Sequence, residues 1–212
     1  MNITTTTYKI IGSRCVLTFE QPCESFCRAL ADSKILGGIT STQTFTQISF
    51  YAKKVCLLRE FLSQRREKLQ YNEGMKLALC LGLQLFYLEK YAHTFPWFNI
   101  NHVLVIDQSS FLYIDIQYLM PIDSNGRIWF TTPFSLKQPH IAPEIKQLIS
   151  LPSYVTSTAV YYSLGSLITF CLVETDDATY TQLLEPIQHT KLYWFILRCI
   201  DSKPNARKLL FI

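Results

Sequence analysis

The segment from Asn72 to Lys90 constrains the fold most. Met75, Leu79, Leu83, Phe86 and Lys90 track one helical line, and Leu81, Leu85 and Leu88 widen it. So broad an apolar stripe predicts a central helix with neighbours on several sides. Phe95-Pro96 ends the pattern, because the residue before a proline is pushed out of the helical region.

The flanking segments divide into two textures. Tyr8–Phe19 mixes β-branched and aromatic residues around Gly12 and predicts one or two strands. Pro22–Leu36 places Phe26, Ala29 and Leu30 near helical spacing and is closed by Gly37-Gly38. Ile39–Tyr51 reads as strand again, so residues 1–52 form a reduced, strand-rich lobe. From Val55 the texture turns helical, with Leu57-Leu58 and Phe61-Leu62 on a short amphipathic turn set. Val103–Asp107 and Phe111–Ile114 predict two strands joined by Gln108-Ser109-Ser110. The chain then reads as loop to Pro143, followed by helices near 143–150, 157–173, 179–188 and 190–201. The fold class is α+β, with a mainly helical lobe over residues 53–212.

Composition narrows the function classes. Apolar residues make up 49% and charged residues 17%, enough for a sizeable core and against global disorder. The net charge is +4, with basic residues scattered rather than interleaved with aromatics, so no nucleic-acid partner is expected. The longest apolar run, Ala159 to Val173, falls short of the ~20 residues a bilayer crossing needs and carries Ser163, Gly165, Ser166 and Thr169. No membrane partner is expected. Seven cysteines behind a polar start predict buried thiols in a reducing, cytoplasmic compartment. Cys23 and Cys27 share a helix face, with no second Cys/His pair to complete a zinc site, and His93, His102, His140 and His189 show no metal spacing. No metal or cofactor is expected.

Three short motifs stand in order: Ala142-Pro143-Glu144, Tyr161-Tyr162-Ser163-Leu164-Gly165 and Pro204-Asn205-Ala206-Arg207. Together they resemble the lower lobe of a protein kinase, over about residues 53 to 211. The resemblance implies that Glu144 forms a buried ion pair with Arg207. It also implies that Leu57–Leu62 is the first short helix after the hinge and residues 72–90 the long helix before the catalytic loop. Val103–Asp107 then stands as the hairpin strand after that loop, and Phe111–Asp115 as the strand entering the magnesium-binding position. The wording of Phe98-Asn99-Ile100-Asn101, Tyr161–Gly165 and Thr190–Phe195 resembles divergent kinase-like proteins of large DNA viruses.

The residues that phosphoryl transfer needs are largely missing. No closely spaced glycines precede residue 50 except Gly37-Gly38, and no motif selects a lysine among Lys9, Lys34, Lys53 and Lys54. Where the family has His-Arg-Asp and a downstream Asn, this chain reads His93 to His102 without an Asp. His93 stands near the family His, Asn101 or His102 near the metal-binding Asn, and Val160 where an Asp anchors the catalytic loop. Asp115 is a vestigial metal ligand or a strand cap. Trp97-Phe98 reads as an exposed aromatic pair, either a plug in the vacated cleft or an interface anchor.

The resemblance therefore implies a pseudokinase, without ATP binding or catalysis, that works on a protein partner in a host cytoplasm or virion. One alternative is an atypical viral serine/threonine kinase using Asp115 and a displaced Lys. Another is the non-catalytic kinase C-lobe module of actin regulators, which requires residues 39–51 to be helical.

Overall fold

Gly12 turns the chain at its first hairpin. With φ at 61° it takes the first position of the two-residue turn Gly12-Ser13, between β1 (Thr6–Ile11) and β2 (Arg14–Phe19). This is a computed structural model, which describes residues 6–65, 67–173 and 184–209. β2 alternates half-buried and buried residues, and so turns Cys15, Leu17 and Phe19 inward. β3 (Thr40–Ser41) and β4 (Gln47–Tyr51) complete an antiparallel sheet in the order β1-β2-β4-β3.

Between β2 and β3 runs α1 (Glu24–Ser33), whose buried Phe26 meets Phe19 edge-on at 5.6 Å. Lys34 ends it in a left-handed conformation, earlier than the stop expected at Gly37-Gly38. The helix expected from Val55 begins instead as a strand. β5 (Val55–Leu57) pairs with β7 (Val103–Ile106), and α2 (Leu58–Arg65) follows directly. A partner distant in sequence decides that segment, which local periodicity does not see.

The central helix is α3 (Tyr71–Lys90). A capping box starts it, in which the Gln70 side chain accepts from the Glu73 N–H and the Glu73 carboxylate accepts from the Gln70 N–H at 2.9 Å. Its buried face is Leu77, Leu81, Leu85 and Leu88 with Ala78, against α1, α5 (Ala159–Leu172) and β8 (Ser110–Tyr113). Of the stripe expected from sequence, Leu81, Leu85 and Leu88 are buried, whereas Leu79 and Phe86 are 40% and 37% exposed. Both lines are apolar, and only the packing partners choose between them.

Gln84 lies on the buried face and is satisfied on both sides of its amide. Its Nε2 donates to the Tyr113 carbonyl at 2.8 Å, and its Oε1 accepts from the Tyr113 N–H at 3.0 Å. Tyr113 belongs to β8, the edge strand of the sheet ordered β5-β7-β8. One side chain thus stands in for a neighbouring strand, as buried backbone groups require.

Residues 115–142, expected as loop, carry further strands. β6 (His93–Thr94) pairs with β9 (Met120–Pro121), and β10 (Arg127–Phe130) pairs with β11 (Ser153–Thr156). α4 (Pro143–Lys146) is accordingly shorter than the helix expected over 143–150, since the chain must extend again into β11. α5 and α6 (Lys191–Cys199) complete the helical part. The helix expected over 179–188 falls partly outside the described residues, and Glu185–Ile187 is one 3-10 turn.

The architecture is mixed α+β with small antiparallel sheets. One core runs from Cys15 in β2 through α3 to Cys199 in α6, so the strand-rich and helical parts share it. A second, smaller core gathers Trp97, Ile128, Phe130, Ile141, Ile145 and Val155. Among the described residues no helix is long and apolar enough to cross a membrane.

Gly165 is where α5 and α6 approach. A Cβ there would stand 2.7 Å from Ile200 Cγ2 and 2.9 Å from Cys199 Cβ. Gly165→Ala is expected to destabilise the fold by about 1–3 kcal/mol through overpacking, read from urea unfolding. Unchanged stability would show that α6 can move aside.

Candidate functional site

Pro143 opens α4 at a position where its missing N–H costs nothing, and it holds Ala142 extended (φ −67°, ψ 145°). Glu144 follows in the first turn. Arg207, 63 residues later, reaches it with Nη1 at 2.5 Å from Oε1 and Nη2 at 3.0 Å from Oε2. The Arg207 side chain is fully buried. Its Nε donates to the Asp201 carbonyl at 2.8 Å, and its guanidinium carbon lies 5.1 Å from the centre of the Tyr162 ring. All three guanidinium nitrogens therefore have acceptors. The sequence expectation for Glu144 and Arg207 matches this geometry, and Ala142 and Pro143 set the angle from which Glu144 enters.

The segment between β6 and β7 departs from its expectation. Trp97 and Phe98, read as an exposed pair, are buried at 1% and 0% exposure, and Phe95 is buried with them. Phe95 and Phe98 each meet the Tyr113 ring at 4.8 Å. Three bulky aromatics in the four residues from Phe95 to Phe98 carry a transfer gain that exposure would forfeit, so an aromatic-rich loop packs inward.

This loop is tied to α5 by Ser163. The Ser163 hydroxyl is fully buried and accepts from the Phe98 N–H at 2.7 Å. Val160, where the kinase resemblance places an anchoring Asp, is itself buried and apolar. The neutral hydroxyl one turn on satisfies the loop backbone without a buried charge. Sequence inspection singled out Ser163 only as a motif residue; its polarity inside the apolar run Ala159–Val173 was the available signal.

Of the polar residues of the expected site, His102 and Asp115 come together, while His93 and Asn101 take other partners. His93 pairs with Pro121 in the β6–β9 ladder, and its Nδ1 lies 2.7 Å from the Tyr91 carbonyl. Asn101 accepts from Arg59 at 3.2 Å through Oδ1. Asp115 is nearly buried, with Oδ2 3.6 Å from His102 Nε2, and no lysine among the described residues forms an ion pair with it. Burial pushes the Asp115 carboxyl above its ordinary range, against the downward pull of His102 and a hydrogen bond from the Gln117 N–H. Lys53 and Lys54 are held by their backbones, whose N–H groups donate to Asp107 Oδ1 at 2.9 and 2.8 Å.

Other chemistry is equally unsupported. Among the described residues no group of three or more His, Cys, Asp or Glu could hold a metal ion. The cysteines are unpaired, and burial pushes Cys27, Cys171 and Cys199 up to about 12, so they are inert thiols at neutral pH. His140 touches the Ser166 hydroxyl at 3.0 Å, but burial lowers it to about 4 and its ring packs on Phe170. A cavity of about 610 Å³ lies between the start of α1 and the β6 region, lined in part by Gln21, Arg28, Tyr91 and His93. Its one carboxylate, Glu24, pairs with Arg28.

Compared with known proteins, the chain matches no family model and no curated sequence.

Removing either partner of a buried pair leaves the other charge uncompensated. Glu144→Ala is expected to cost about 3–5 kcal/mol by thermal or urea unfolding, and a melting temperature within a degree of the parent would refute the structural role given to Arg207. Asp115 gives a prediction of opposite sign. Its folded pKa is raised, so its contribution to stability is full below the unfolded value of ~3.9 and is lost as pH rises through the folded pKa. Asp115→Asn is therefore expected to raise the melting temperature at pH 7, with the gain shrinking toward pH 3. A loss at pH 7 would mean that the carboxylate is a needed anion.

Proposed function

We propose that the chain is a kinase-like fold without phosphotransfer, a pseudokinase that acts as a protein-interaction or regulatory module. Residues 1–52 serve as its reduced strand lobe and residues 53–212 as its helical lobe. The observation that carries this is a contrast at two ends of one segment: the Glu144–Arg207 pair is fully made, while the loop before β7 is filled with Phe95, Trp97 and Phe98. Element order adds support. α3, the aromatic loop, the β7–β8 hairpin and Asp115 follow one another as the resemblance implies.

Positioning and electrostatic stabilisation supply nearly all of phosphoryl-transfer catalysis. Asp115 with His102 at 3.6 Å offers neither a phosphate cradle nor a base for a hydroxyl. An atypical kinase would have to bring a lysine and a second metal-binding group to Asp115. The C-lobe module of actin regulators fits less well, because β3 and β4 occupy residues that it needs as helix.

Thermal unfolding with ATP, with and without magnesium or manganese, tests the proposal. No shift is expected. A nucleotide at a hundredfold excess over its dissociation constant would add ~2.7 kcal/mol, or roughly 5–10 °C for a chain of this size. A metal-dependent rise of that order would replace the pseudokinase with the atypical kinase.

A further inference from the structure

β1 ends the four-stranded sheet, with β2 on one side and no strand among the described residues on the other. Its turn decides which of its backbone groups face outward. The two-residue turn Gly12-Ser13 closes on Ile11 and Arg14, and such a closing pair exchanges both of its backbone hydrogen bonds. Alternation along the ladder gives the same pairing to Lys9 with Val16 and to Thr7 with Thr18. The N–H and C=O groups of Thr6, Tyr8 and Ile10 therefore point away from β2. No backbone hydrogen bond among the described residues reaches them.

Proteins usually blunt such an edge by keeping it very short, bulging it or placing proline on it. β1 has none of these. It runs for six residues, pairs with β2 without a bulge, and leaves Ile10 and Ile11 42% and 54% exposed. Its one charged residue is Lys9. Thr6, Tyr8 and Ile10 stand beside the buried Phe19, Leu17 and Cys15, so they share the core face, and Thr7, Lys9 and Ile11 share the solvent face.

Outward-facing backbone groups call for an extended strand, and β1 is a match for itself. A second copy, related by a two-fold axis perpendicular to the sheet, keeps both core faces on one side. Each residue then meets one from the same face. With the axis at Tyr8, Thr6 pairs with the second copy's Ile10, Tyr8 with Tyr8, and Ile10 with Thr6. That register uses every outward-facing group of β1. Moving the axis to Lys9 loses the pairing of Thr6 and sets two ammonium groups directly opposite each other, which is destabilising. With the axis at Tyr8, Lys9 lies opposite Thr7 on the solvent face and stays hydrated. The lysine thus selects the register and does not block the edge. The far edge of the sheet offers no equal match, because β3 has only two residues.

We propose that β1 is a dimerisation edge, through which two copies of this chain join antiparallel with Tyr8 on the two-fold axis. The product is one continuous sheet built from two strand-rich parts. This goes beyond the reading of the chain as a non-catalytic module and does not depend on it. One strand against one strand is a small interface, so the association is weak and reversible.

Sedimentation velocity of the full chain from about 1 to 300 μM tests the proposal, and a reversible monomer–dimer equilibrium is expected within that range. Thr7 is exposed and faces Thr18 within its own sheet, so a charge placed there spares the fold. Thr7→Lys meets Lys9 twice across the two-fold axis and should weaken the dimer by about fivefold to tenfold. Thr7→Glu should tighten it by about the same factor. A chain that stays monomeric throughout overturns the proposal and leaves the edge to a strand of another protein. Growth past the dimer into open assemblies overturns it too. So does a dimer whose dissociation constant is unchanged by both substitutions at Thr7, or moves the same way with each.

Discussion

A buried guanidinium cannot be left half-satisfied, and the helical part of this protein is arranged around that requirement. Arg207 is held by Glu144 from the start of α4, by the Asp201 carbonyl from the chain after α6, and by the face of Tyr162 on α5. Those contacts join three segments that local sequence does not connect. Replacing the pair by apolar residues of similar shape could be neutral for stability, whereas losing one member is costly. The pair therefore fixes which segments meet more than it adds net free energy.

The contrast with the loop before β7 follows from the same physics. A polar loop built for chemistry must keep charges and donors exposed or paired. Here Phe95, Trp97 and Phe98 turn inward, the Phe98 N–H is taken by the Ser163 hydroxyl, and Tyr113 provides the aromatic surface on which two of them pack. Gln84 works in the same way at β8, supplying from a helix the donor and acceptor that a missing strand would have given. Neutral side chains thus satisfy these buried backbone groups without burying a charge.

Much of this was legible in the chain. The hairpin around Gly12, the helix over 71–90, the two strands after residue 102 and the Glu144–Arg207 pair all carry local or motif signals strong enough to read. The inner face of α3 was partly legible: Leu81, Leu85 and Leu88 belong to the expected stripe, but two apolar lines run along the helix and only α1, α5 and β8 choose these residues, with Leu77, over Leu79 and Phe86. β5, β10 and β11 were missed for a related reason, since each is defined by a partner far along the chain. Arg127–Phe130 does alternate exposed and buried side chains as a strand would, a signal that a window of four residues makes easy to overlook.

The sequence by itself determined the α+β class, the central helix and the inert thiols. Those properties depend on composition, short-range periodicity and which side chains exist at all. The tertiary structure alone decided that Trp97 and Phe98 are core rather than surface, that Ser163 anchors the loop, and that Asp115 stands with His102 rather than in a metal cluster. Burial and hydrogen bonding are properties of pairs of residues, and these pairs are brought together by segments whose separation along the chain hides them from any local pattern.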